Sequence, residues 1–182
     1  MHPSAELLRP ESTTLLVIDL QEKLLPAIFE KERVVANVAR LLHLGRILNL
    51  KTVPTTQYSR GLGPTVEEIA SLLPQAPLDK TSFGCCGDER IARALEGSSA
   101  LLVAGIETHI CVAQTVLGAL AAGYCVHVAA DATSSRTPSN MQAGIERMRE
   151  AGAVISSTEM AIYELLRRSD RDEFKQMLPY LK

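Results

Sequence analysis

The sequence predicts an α/β fold: a three-layer α/β/α sandwich whose mostly parallel, Rossmann-like sheet has roughly six strands. Two observations carry this. Short β-branched apolar runs alternate with stretches of helical period along the whole of the 182 residues, the order of strand–helix–strand units. The run Thr13–Asp19 is apolar up to its closing carboxylate rather than at alternate positions, as befits a strand covered by helices on both faces. No repeat, low-complexity segment or linker interrupts the pattern, so residues 1–182 read as a single domain.

Each element has its own signal. Thr13–Asp19 is an apolar run closing on a carboxylate, a buried strand. Residues 31–49 carry Val34, Val38, Leu41, Leu42 and Leu48 on one helical face. Lys51–Thr56 reads as the second strand, Gln57–Thr65 as a Gly/Pro-rich loop, and Val66–Leu73 as a short helix ending before Pro74. Residues 78–83 hold a third strand, and Gly87–Glu96 a helix. Ala100–Gly105 is a strand followed by an apolar helix, Ile110–Ala122, stopped by Gly123. After the strand Tyr124–Ala130, Thr137-Pro138 opens a helix that Gly152 closes. Ala153–Ser156 is a short strand, and Ser156-Ser157-Thr158-Glu159 reads as a capping box for a helix running through Arg167. The last dozen residues form a charged terminal helix.

Composition excludes several classes of function. A chain of this length buries roughly 70% of its unfolded surface and needs no disulfide or metal staple. Nineteen Lys+Arg against 21 Asp+Glu leave a net charge of −2, without the basic excess of a general nucleic-acid binder. The 4% aromatic content, with no Trp, offers little stacking surface for single strands. Cys85 and Cys86 are adjacent, and Cys111 and Cys125 sit in apolar runs, which is no secreted disulfide framework. No apolar stretch is long enough to span a bilayer, and Met1–Pro10 lacks the apolar core of a signal peptide. A reduced, cytoplasmic protein is expected.

In parallel sheets, ligands sit beyond the carboxyl ends of the strands. The residues found there are Asp19, Gln57, Lys80, Gly105–Cys111 and Asp131. If Thr108 caps the following helix, Cys111 falls in its first turn, where the helix dipole and free N–H groups favour a thiolate. A small buried hydrophobe is the other reading of that cysteine. Asp19 either accepts a thiol proton or caps a turn. Lys80 either holds a thiolate and polarises a carbonyl or is a solvated charge.

The run VIDLQ (Val17–Gln21), the segment KTSF (Lys80–Phe83) and GIETHICV (Gly105–Val112) resemble, in order and spacing, the signature blocks of the isochorismatase-like hydrolases, the cysteine hydrolase superfamily. The likeness runs from about Leu15 to Leu166. TTQYSRGLGPTV (Thr55–Val66) and VHVAADATSSRT (Val126–Thr137) resemble the isochorismatase domain-containing branch, whose substrates are largely undefined. The resemblance implies the isochorismatase-like fold and a catalytic triad of Asp19, Lys80 and Cys111. It also implies a cis peptide at Ile106–Glu107, and an oxyanion hole from the backbone N–H groups of Glu107 and Cys111. Isochorismatases proper usually lack the cysteine, so Cys111 points to C–N or ester hydrolysis. Nicotinamidases carry an Asp/His/His metal site after the second strand; Gln57–Thr65 contains neither His nor Asp, so no catalytic metal and no cofactor are expected. His2, His43, His109 and His127 have no zinc-site spacing.

Gln57 and Phe83 are read as lining a substrate pocket, Asp131 and Arg136 as a structural ion pair, and Met141 and Met148 as core. The expectation is a metal-independent cysteine hydrolase of a small amide, imide, carbamoyl or ester compound, working through a Cys111-bound acyl intermediate. It would be a homo-oligomer with no nucleic-acid or membrane partner. A catalytically silent binding or assembly protein and a thiol redox sensor, pairing Cys111 with Cys85 or Cys86, are the alternatives.

Overall fold

The strands appear in the chain as β1 (Thr13–Ile18), β2 (Lys51–Gln57), β3 (Leu78–Lys80), β4 (Ala100–Ile106), β5 (Cys125–Ser134) and β6 (Val154–Ser156). They form one six-stranded sheet in the order β3-β2-β1-β4-β5-β6, and every pairing is parallel. This is a computed structural model, and it describes residues 7–181. The helices are α1 (Lys31–Ile47), α2 (Ser59–Leu62), α3 (Glu67–Ala70), α4 (Glu89–Leu95), α5 (Ala113–Ala121), α6 (Pro138–Glu150), α7 (Thr158–Leu166) and α8 (Asp172–Met177). Among the described residues no helix is long and apolar enough to cross a membrane.

The all-apolar strands explain the layering. In β1, Leu15 and Val17 join a core with α1 and α7, whereas Leu16 and Ile18 join another with α4, α5 and α6. Leu102 and Ala104 of β4 divide from Leu101 and Val103 in the same way. With both faces buried, the period-two pattern of a half-exposed strand disappears. The chain winds outward from β1 to β3, returns beside β1 as β4, then winds the other way. The point of reversal, beyond the carboxyl ends of β1 and β4, is where sheets of this kind bind ligands.

Several boundaries differ from expectation. The predicted loop 57–65 contains the one-turn helix α2, and the predicted helix 66–73 shortens to α3. Strand β3 ends at Lys80 because its last partner, Gln57, ends β2. Strand β5 runs to Ser134, past a register shift against β4 between Val103 and Gly105. Ser157, rather than Ser156, caps α7 by accepting from the Met160 N–H at 3.2 Å. The terminal helix is only α8, followed by a 3-10 turn at Leu178–Tyr180 that contains Pro179, which cannot donate a helical hydrogen bond.

Gly105 lies at that shift with φ 122°, and a Cβ there would collide with the backbone of Ile18 in β1. Gly105→Ala should therefore cost about 3 kcal/mol or more, read as a lowered urea midpoint, because neither β1 nor β4 can move without breaking the pairing between them.

Candidate active site

Asp19 is the first residue after β1 and takes a left-handed conformation, φ 56°, which aspartate tolerates better than most residues. Its N–H donates to the Thr55 carbonyl at 3.2 Å. The carboxylate is wholly buried, accepting from Thr55 Oγ1 at 2.8 Å through Oδ1 and from Lys80 Nζ at 2.7 Å through Oδ2. Lys80, the last residue of β3, reaches past the intervening strand β2 to make this contact. Both side chains have 0% exposure. A lone charge in this apolar sheet would be prohibitive, so each is held by its partner.

Cys111 comes from the segment after β4. The expected helix Ile110–Ala122 opens as a π-turn over Thr108–Val112 before α5 begins. Cys111 is 6% exposed, and its thiol lies in the field of the Asp19 carboxylate and the Lys80 ammonium. Burial first, then the Asp19 charge, push this thiol up to about 12, with Lys80 pulling the other way. The expected thiolate is thus not the resting form: loss of water and the nearby carboxylate outweigh both the lysine and the first-turn position.

The Ile106–Glu107 peptide is cis. The Glu107 carbonyl accepts from the N–H groups of Ile110 (3.0 Å) and Val112 (3.1 Å), on either side of Cys111. The Glu107 carboxylate accepts from Arg136 N at 3.1 Å and Nε at 3.0 Å. The expected Asp131–Arg136 pair is therefore replaced: Asp131 Oδ1 instead accepts from Thr158 N at 2.7 Å, at the start of α7. His109 is tied to Ser135 at 2.9 Å. Gly144 of α6 lets that helix lie on the π-turn; a Cβ there would come 2.9 Å from the Thr108 carbonyl oxygen.

Gln57 is buried against Lys80, its Oε1 accepting from Nζ at 2.7 Å. Phe83 is 54% exposed. Cys85 is buried, and its N–H and the Cys111 carbonyl share the Thr115 hydroxyl, at 3.0 and 2.6 Å. Met148 is core, whereas Met141 is half-buried. Sequence reasoning missed Thr55, Gln21 and Thr115. Gln21 had a signal, lying inside the VIDLQ block; Thr55 and Thr115 had none, since a threonine in a β-run or an apolar helix carries no mark of its partner. His2 lies outside the described residues, among which no three His, Cys, Asp or Glu side chains converge to hold a metal ion.

Comparisons with known proteins agree with the fold. The isochorismatase domain model matches residues 13–160. The chain belongs to the isochorismatase family. It is 37% identical to mouse isochorismatase domain-containing protein 2A, over 95% of this chain and 84% of that one. The structure of the MAR1 ribonuclease from Caenorhabditis elegans superposes with a TM-score of 0.92 at 33% identity, covering 97% of this chain and 92% of the other. The Escherichia coli YcaC gene product, an octameric hydrolase of unknown specificity, gives 0.88 at 28% identity, covering 96% and 93%. Family and fold together support hydrolase chemistry for this isochorismatase-family chain.

The raised thiol has a consequence for stability. Above pH 9.0, the ordinary value for the unfolded cysteine, the unfolded chain releases the Cys111 proton while the folded protein keeps it toward 12. The native state then binds more protons, so stability falls as pH rises. Urea midpoints should drop between pH 8.5 and 10.5 on the order of the linkage slope, and Cys111→Ala should make that drop shallower, with buried Cys85, itself pushed up to about 11, carrying the remainder.

Proposed function

We infer that the protein is a metal-independent cysteine hydrolase, cleaving a C–N bond (amide, imide or carbamoyl) or an ester bond of a small molecule through an acyl intermediate on Cys111. The observation that carries this reading is a buried Asp19–Lys80 ion pair whose two charges both act on the Cys111 thiol. The sulfur attacks the carbonyl carbon as its proton passes to Asp19. The oxyanion is received by the N–H groups of Glu107 and Cys111, with the Lys80 charge nearby. Collapse expels the amine or alcohol, which takes the proton from Asp19. Water, deprotonated by Asp19, then cleaves the thioester; the acid leaves and the thiol regains its proton.

Because the thiol rests protonated, its reactivity is coupled to transfer to Asp19 as substrate arrives. One observation favours a second reading, a silent binding or assembly protein: Cys111 is both nearly closed off and held up to about 12. RNA suits the site poorly, since Lys80 is buried on Asp19 and Arg136 is engaged by Glu107. Four cysteines outside any disulfide suit a reducing, cytoplasmic compartment, and the octameric YcaC neighbour supports a homo-oligomer.

A screen of small amides, carbamoyl compounds and esters should find turnover that Cys111→Ala abolishes, by about a thousandfold or more. Intact mass during turnover should show an acyl adduct on the cysteine. Undiminished turnover by Cys111→Ala would sink the hydrolase reading, and no turnover across the screen favours the silent one. Asp19→Asn, isosteric but a poor base, should lower the rate about 100-fold or more.

A further inference from the structure

Lys80 has three N–H donors and two acceptors among the described residues. One is Asp19 Oδ2; the other is Gln57 Oε1, also at 2.7 Å. Gln57 stands directly opposite Lys80 at the last register position of β2 and β3. Its own amide cannot turn round. Nε2 donates to the Thr81 carbonyl at 3.0 Å, and the flipped amide would set oxygen against that carbonyl and NH2 against the ammonium. Gln57 is therefore locked as an acceptor toward the lysine.

Its backbone is locked as well. Gln21 accepts from the Gln57 N–H at 2.7 Å and donates to the Gln57 carbonyl at 3.1 Å and to the Gly63 carbonyl at 2.7 Å. The Gln21 amide thus stands in for a neighbouring strand where β1 has already ended. The Gln57 side chain gives its oxygen to Lys80 and its NH2 to the Thr81 carbonyl.

We propose that Gln57 is the positioning residue of the Lys80 ammonium, fixing it beside Asp19 with one N–H left for the sulfur or the substrate oxygen. The proposal rests on reading Asp19, Lys80 and Cys111 as the catalytic set. Without Gln57, the buried ammonium loses one of its two acceptors and is no longer held beside Asp19. The thiol then loses the nearby positive charge that eases its ionisation.

The test uses the whole protein and iodoacetamide, with peptide-resolved mass spectrometry following Cys111 and, as an internal reference, the half-buried Cys86. No substrate is needed, so failure of the hydrolase reading leaves the outcome intact. Gln57→Leu should slow Cys111 alkylation at pH 9 on the order of tenfold and leave Cys86 unchanged. In a Lys80→Met background the same substitution should have no further effect. Gln57→Met, close to glutamine in shape but without the acceptor, should slow Cys111 as well. Unfolding moves the readout the other way, since an exposed cysteine reacts faster at both sites; if Gln57→Leu does this, the better-fitting Gln57→Met decides. An unchanged Cys111 rate in the folded variants, or an equal slowing in the Lys80→Met background, overturns the proposal.

Discussion

The ion pair between Asp19 and Lys80 is the constraint around which the rest of the site is arranged. Both side chains are completely buried at the carboxyl ends of the sheet strands. Breaking such a pair from one side costs about 3–5 kcal/mol, because the surviving charge has nowhere to go. Every other polar group nearby is placed to meet that demand: Thr55 on one carboxylate oxygen, Gln57 on the ammonium, Gln21 on the backbone of Gln57. The parallel order brings the ends of β1, β2 and β3 side by side, which is what allows residues so far apart in the chain to share these bonds.

The same pair governs the thiol. Burial first, and then the Asp19 charge, keep the Cys111 thiol neutral, and Lys80 opposes them. A resting thiol beside a base differs in kind from a resting thiolate. It is protected from stray electrophiles and oxidants, which react with the thiolate, and ionises when its proton has somewhere to move. The backbone that carries it is set from two sides, by the cis peptide before Glu107 and by α6, whose Gly144 lies on the π-turn.

Much of this was legible beforehand. Helix α1 announced itself through Val34, Val38 and Leu41, all fully buried. Thr137-Pro138 marked the start of α6, with Thr137 accepting from the Asn140 N–H as a cap. The errors came where local pattern is weakest. Ser156 and Ser157 are equivalent as caps in sequence, and only the end of β6 chooses between them. Arg136 had two carboxylates as candidate partners, and the choice of Glu107 over Asp131 follows from Asp131 being engaged at the start of α7.

The sequence by itself determined the alternation of strand and helix, because an all-apolar run or a helical stripe is written in adjacent residues. It also marked Asp19, Lys80 and Cys111, since polar groups closing apolar strands, or following them, stand out locally. Only the tertiary structure decided the protonation of Cys111, the partner of Arg136 and the task of Gln57. Each of these depends on desolvation and on distances between groups remote in the chain, and such quantities come into being only when the sheet brings the strand ends together.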